Sequence, residues 1–207
     1  STKFKMAHAR MVAKLRAFTL SKRLTLRHYP KSDTSLPARY AHAIAYFRSA
    51  GTEKALGIMG ALIAENPSDP YFHELKGQIL FENGRIGEAI PAYQKAVELL
   101  PGSALIMTDL AKAQIEINDT EMRNRAIRHL NAAIELEPKR PFTWRLVATA
   151  EGKNGNMVES WRALAEEALL VGRLDRAIGL AKRSQSQTEA GTPVWPRAAD
   201  IIAATTE

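Results

Sequence analysis

Cysteine is absent from this 207-residue chain, which excludes disulfides, thiolate metal sites and thiol catalysis together. Long apolar runs are missing too, and none approaches the ~18 residues that a membrane-spanning helix needs. The motifs of common chemistry also fail. A zinc-protease helix needs His-Glu-x-x-His, so that two imidazoles one turn apart hold the metal. The only His-Glu pair is His73-Glu74, and Gly77 stands where the second histidine belongs. His8, His28, His42 and His129 are too far apart to show ligand spacing, and are expected as surface or boundary residues. There is no phosphate-binding G-x-x-x-x-G-K-[ST] and no G-x-S-x-G. Glu166 and Glu167 are adjacent, but neighbours on a helix face about 100° apart, so both are expected as solvated charges. No catalytic or metal-binding residue is therefore assigned, and no cofactor is expected in this chain.

Acidic residues are missing from the first 32 positions, where nine Lys and Arg stand; the first acid is Asp33. The remaining chain holds 20 bases against 22 acids, so the net charge of +7 belongs to one end. Lys3, Lys5, Arg10, Lys14, Arg16, Lys22 and Arg23 form a candidate basic contact surface. An acidic face of a neighbouring domain is its favoured partner, with a merely solvated face or a membrane surface as alternatives. Aromatic partners for stacking bases are sparse there, only Phe4, Phe18 and Tyr29, which weighs against nucleic acid. The chain opens Ser1-Thr2-Lys3 with no initiator methionine, and is expected to be a fragment or processed product of a longer protein.

Hydrophobic residues make up 45%, enough for a sizeable core. Residues 5–18 read as an amphipathic helix with Met6, Met11, Leu15 and Phe18 at helical spacing, and 19–37 as a connector in which Asp33, Thr34 or Ser35 caps the next helix. Helices are expected near 36–49, 53–65, 70–82, 86–99, 103–117, 122–136, 141–153, 157–170, 174–186 and 194–204, with short separators. A period underlies them: Pro101 stands 34 residues after Pro67, and Pro138 a further 37 on. Two helices of about 14 residues plus turns fill such an interval, and each pair must stack on the next to bury its apolar stripes. In "GRIGEAIPAYQKAVELLP", Ala89 and Ala96 lie two turns apart on one face, where helix axes cross closely, and Tyr93 fills the wider gap. Gly84 is expected at positive φ, and Pro101 ends the helix.

This pattern resembles the tetratricopeptide repeat (TPR), most clearly through Gly77, Gly84, Ala89, Tyr93, Ala96 and Pro101. The expected fold class is all-α: a TPR-like α-solenoid of stacked antiparallel helix pairs, with an N-terminal basic helix and a C-terminal capping helix. Residues 1–35 form the basic helix and connector; 36–207 form the repeat domain, with repeats near 36–67, 70–101 and 104–138, an irregular 141–187 and a cap at 194–205 containing Trp195 and Ile201. Gly155 and Gly172 are only half a period apart, so the helix at 157–170 must pair in both directions. In such repeats the first helix of each pair lines the binding groove. The resemblance places Tyr40, Ile44, Phe47, Arg48, Tyr71, Glu74, Gln78, Phe81, Glu82, Leu105, Thr108, Lys112, Ile115 and Glu116 there, for a protein or peptide segment; the competing reading puts the aromatics in the core between repeats.

The order of features narrows the resemblance. "HARMVAKLRAF", "RHYPKSDTSLPARYAHAIAYFR" and "NPSDPYFHELKGQILFENGRIGEAI" together resemble the C-terminal half of bacterial zinc metallopeptidases of the HtpX/BepA type. That resemblance implies a periplasmic, membrane-associated protease whose zinc lies in a separate catalytic domain. This chain would be its non-catalytic interaction region, packed on that domain and engaging substrates or envelope-assembly proteins. The alternative is a free-standing TPR adaptor in bacterial complex assembly; a nucleic-acid binder driven by residues 1–31 is a third, weaker reading.

Overall fold

In the computed structural model, residues 2–188 and 199–203 are described, the side chains of Thr2 and Lys3 excepted. Trp195 and most of the expected cap at 194–205 lie outside them, while 199–203 is helical. The described residues form helices and no strand. In chain order they are α1 (Thr2–Thr19), α2 (Lys22–His28), α3 (Leu36–Phe47), α4 (Thr52–Glu65), α5 (Pro70–Glu82), α6 (Ile86–Leu99), α7 (Ala104–Glu116), α8 (Thr120–Leu136), α9 (Pro141–Lys153), α10 (Met157–Leu170) and α11 (Leu174–Ser186).

Local chemistry sets these boundaries. Helix starts carry side chains that satisfy otherwise unpaired amides: Ser35 accepts from Ala38 N, Asp69 from Tyr71 N, Ser103 from Ile106 N and Asp119 from Met122 N. Pro70 and Pro141 open α5 and α9, where a missing N–H costs nothing. α4, α6 and α8 end at Glu65, Leu99 and Leu136, each two residues before Pro67, Pro101 or Pro138. Gly84 turns the chain at φ 76°, and Gly155 and Gly172 do the same at 81° and 73°. The one departure is α2, which interrupts the expected connector. Ser21 caps it by accepting from Leu24 N, and Thr25 is buried.

The chain divides into two compact units, Ser1–Leu99 and Leu100–Glu207. This division differs from a boundary at residue 35, because α1 and α2 both pack on α3. In the first unit α3 pairs with α4 and α5 with α6, and α4 also meets α5. Tyr40, Ile44, Met59, Leu62, Phe72, Leu75 and Ile79 form its core. The Tyr40 and Phe72 rings meet at 5.6 Å between centroids. Gly77 on α5 faces the ring of Tyr93 on α6.

In the second unit α7 pairs with α8, α8 meets α9, and α10 packs on both α9 and α11, as the half-period spacing of Gly155 and Gly172 requires. Ile115, Leu130, Trp144 and Val147 share one core, and the Trp144 indole N–H donates to the Pro138 carbonyl at 2.9 Å. Ser160 and Ser184 hydroxyls donate to the Ala148 and Val158 carbonyls and tie α10 to both neighbours. Glu167 is not solvated: α10 is covered on two sides, and this carboxylate is buried against the Arg145 guanidinium. Ile201 of the short 199–203 helix packs on Ala165, Ala168, Ala177 and Ala181, covering the last described apolar face.

The half-buried His129 Nδ1–H donates to Gln114 Oε1 at 3.0 Å. Burial lowers its pKa, and the nearby Arg128 and Arg125 add to the shift. The folded imidazole therefore resists charging more than the unfolded one, whose pKa is about 6.5. This contribution is fully present above pH ~6.5 and is lost as the pH falls through the lower folded-state value. Urea unfolding should show a stability decrease on acidification that is smaller in His129→Gln. Identical pH profiles for the two proteins would refute that assignment.

Candidate interaction surface

The α3 side of the predicted groove and the first turns of α5 are covered by the protein's own first helix, while Gln78, Phe81 and Glu82 lie further along α5, beyond its ion pairs to Asp69 and Glu74. Ala13 and Ala17 bring α1 close to α3, joining Ala41 and Ile44 in one apolar cluster. Small side chains are required at so close a crossing. This reverses the expected orientation of α1. Alanines face inward with the half-buried Phe18, while Met11 and Leu15 face solvent.

Charge then fixes the helix in place. Arg10 Nη1 donates to both Asp69 oxygens, at 2.6 Å to Oδ2, and its guanidinium lies 4.0 Å above the Tyr71 ring. One turn on, Lys14 Nζ meets Glu74 Oε1 at 3.0 Å and Oε2 at 2.8 Å, and the Glu74 side chain is only 6% exposed. Arg48 Nη1 donates to the Ala17 and Leu20 carbonyls at 3.1 and 2.9 Å, capping the carbonyl end of α1. The following connector is tied back where His42 Nε2–H donates to the Tyr29 carbonyl at 2.7 Å. A cleft of about 210 Å³ persists beside α1, lined by Ala7, Arg10, Met11, Lys14, Tyr40 and Tyr71.

Several predicted groove residues are therefore corrected. Tyr40 and Ile44 are core, fully buried by α1 and the neighbouring repeat. Burial pushes the Tyr40 phenol well up, and the Glu74 carboxylate adds to this. Glu74 is buried and engaged by Lys14. In the second unit Ile115 packs with Leu130 and Trp144, and Thr108 is buried, donating to the Ala104 carbonyl at 2.7 Å. Phe47 is half-buried against the first core. Gln78 Nε2 donates to Glu82 Oε1, with Glu82 exposed and Phe81 half-buried. Tyr71 is exposed at its edge but lies under Arg10. In the second unit Leu105 and Glu116 are exposed and Lys112 is half-buried.

The basic surface splits in the same way. Arg10 and Lys14 are spent inside the first unit, and Lys22 lies 4.8 Å from the Tyr46 ring centroid. Lys5, Arg16 and Arg23 are exposed, and the Lys3 side chain lies outside the described residues. Sequence reasoning missed Asp69 altogether. Its helix-capping role was legible, but its ion pair with Arg10 spans 59 residues and has no local signal. Among the described residues, no cluster of three His, Asp or Glu converges as a metal site, and no helix is long and apolar enough to cross a membrane.

Two overlapping family profiles, both described as tetratricopeptide repeat, match residues 40–104 and 80–148. Residues 40–148 are tetratricopeptide repeats. Among curated proteins, the TPR chain is 25% identical over 157 residues to the beta-barrel assembly-enhancing protease of Yersinia pestis, covering 76% of this chain and 32% of that protein. It is 29% identical over 109 residues to the cytochrome c-type biogenesis protein CycH of Rhizobium meliloti (strain 1021), covering 51% of this chain and 29% of that protein. The TPR chain thus spans about a third of the length of the curated relatives it matches. Solved structures titled MamA share the fold. One, "MamA MSR-1 C2", aligns at TM-score 0.62 and 16% identity over 82% of this chain and 98% of its own. Another, from Desulfovibrio magneticus RS-1, aligns at 0.60 and 14% over 81% and 91%. The repeats make this chain a protein-interaction domain.

Proposed function

We propose that the chain is the non-catalytic TPR region of a bacterial zinc metallopeptidase acting in the periplasm. In this reading it packs on the catalytic domain and engages substrate or envelope-assembly proteins. The observation that carries the reading is the alignment over 157 residues to a protein named as a protease, only 32% of which this chain covers. The metal and the bond-breaking groups belong to the other part, since a stack of helix pairs offers a docking surface and His73-Glu74 lacks the second histidine. Zinc is accordingly expected in the catalytic domain and not here. The alternative, a free-standing adaptor, draws support from the MamA structures, which this chain covers almost end to end.

Expression of the complete gene product in which these residues occur separates the two. Chelator-sensitive cleavage of casein by that product, absent from residues 1–207 alone, is the expected result. A complete product with no His-Glu-x-x-His helix and no chelator-sensitive cleavage would leave the adaptor reading in its place.

A further inference from the structure

The first helix pair has a face that the chain leaves open. Between α3 and α4 lies a cleft of about 440 Å³, walled by Arg39 and Tyr46 on one side and by Lys54, Gly57, Ile58 and Ala61 on the other. The four α4 residues are spaced i, i+3, i+4 and i+7, so they form one continuous helix face. The second pair shows what is missing here. The turns at Ala50 and Gly84 both have positive φ, at 58° and 76°, and stand 34 residues apart, so Tyr46 corresponds to Leu80 and Ile58 to Ala92. In the second pair, where α4 packs on α5, Leu80 and Ala92 are buried. In the first, Tyr46 and Ile58 are only half-buried. α2 packs on α3, but with 7 residues it is half the length of the 14-residue α4. Gly57 points the same way. Glycine inside a helix is less stable than alanine, and a Cβ here would meet nothing within 4 Å. No contact among the described residues calls for its absence; the close approach of a helix from outside does.

Charge and shape define the occupant. Lys22 and Lys54 place their ammoniums 4.8 and 5.6 Å from the Tyr46 ring centroid. Both side chains are exposed, and neither makes an ion pair among the described residues. Glu65, near the end of α4, is already held by two Arg39 nitrogens at 2.7 Å each. Two like charges gathered on one ring call for an anion. α3 and α4 expose no large apolar side chain, so their open apolar surface is recessed, whereas a membrane interface takes a protruding apolar face. A second copy docking by the same face would set cleft against cleft and Lys54 against Lys54, filling neither. The occupant that fits brings bulky apolar side chains for the cleft and carboxylates for the two lysines.

We propose that the α3–α4 cleft is the berth of an acidic amphipathic helix from a partner protein, with large apolar side chains seated on Tyr46, Gly57 and Ile58 and carboxylates paired with Lys22 and Lys54. The incoming helix extends the stack in trans, as α4 extends it within the chain by packing on α5. Both walls belong to one helix pair whose geometry is already set, so little ordering is needed on docking. This face is open whether the chain belongs to a protease or stands alone.

The test is site-specific photo-cross-linking in the complete gene product in its own cells. p-Benzoylphenylalanine goes at Ala64, exposed one turn beyond Ala61, and, as a reference, at the exposed Phe142 of the second unit. The expected Ala64 adduct maps by mass spectrometry to a segment of another protein that carries apolar residues at helical spacing and Asp or Glu beside them. A synthetic peptide of that mapped segment should bind residues 1–207, and Lys54→Glu should weaken its binding about ten-fold or more. Gly57→Leu fills the cleft from within and should weaken binding about as much. Its melting temperature should stay at or above the parent's, since the position is open and leucine is the better helix former. No adduct above the Phe142 level overturns the proposal. So do adducts only to lipid, to a second copy or to the rest of the same polypeptide, and so does a mapped segment without acids. Peptide binding left unchanged by either substitution also overturns it.

Discussion

Replacing Gly77 by valine should unfold the first unit at a temperature roughly 10 °C lower than the parent, a cost of about 2–3 kcal/mol for a unit of this size. A Cβ at this position would lie 2.8 Å from Tyr93 Cγ and Cδ1 and 2.9 Å from Cε1, well inside contact distance. The ring cannot swing away cheaply, because Tyr93 is buried and Ala89 and Ala96 on its own helix are buried on either side. Either α5 and α6 separate or the ring leaves its rotamer. Alanine should cost less, since it meets the same ring atoms but recovers about 1 kcal/mol of helix propensity. Shortening the ring in Gly77→Val/Tyr93→Ala should restore part of the loss relative to the sum of the two single changes. Thermal unfolding followed by circular dichroism measures the parent and all four variants. Strictly additive losses would show that the ring contact is not the cause.

Loss of Lys14 is expected to release α1. The Glu74 carboxylate is nearly enclosed and its neighbour Tyr40 is fully buried, so Lys14→Met strands a charge that water reaches only if the helix lifts away. Breaking a buried pair from one side costs about 3–5 kcal/mol; Lys14 is 30% exposed, which brings the expected loss to about 2. That is comparable to what holds a helix buried mainly through two alanines, so detachment rather than global unfolding is the cheaper response. Trypsin should then cut within α1 many times faster while the rest of the first unit stays protected. Lys14→Met/Glu74→Met, which removes both charges and fills the space with apolar atoms, should regain protection. Unchanged cleavage in Lys14→Met would show that Arg10, Arg48 and the alanine crossing suffice without it. The same experiment bears on the α3–α5 face, since only a released α1 would open it to another segment.

Much of the fold could be read from short stretches. "NPSDPY" encodes a stop, a cap and a start within six residues, and α5 begins at Pro70 with Asp69 as its cap. Ala89, Tyr93 and Ala96 announced a close crossing, and all three are buried. Gly84 turns at positive φ as its position between two helices requires. The candidate site was much less legible. Tyr40 and Ile44 occupy positions that line a groove only when nothing lies over them, and the helix that does lie over them comes from a stretch read as a separate basic segment. Periodicity in α1 pointed to Met11 and Leu15 as its buried stripe because larger apolar residues usually bury. Here the space beside α3 admits only alanine.

The amino-acid sequence by itself determined where the helices other than α2 begin and end, that they pair in series, and that the positive charge gathers at one end. Each of these depends on hydrogen bonds, caps and backbone restrictions within a few residues, and on a period that repeats along the chain. The tertiary structure alone decided which face of α1 turns inward, which two of its bases are neutralised by Asp69 and Glu74, and that Glu167 is buried rather than solvated. Those outcomes depend on how closely two helix axes can approach, and on which distant carboxylate then stands within reach, and neither distance is encoded in the spacing of any one segment.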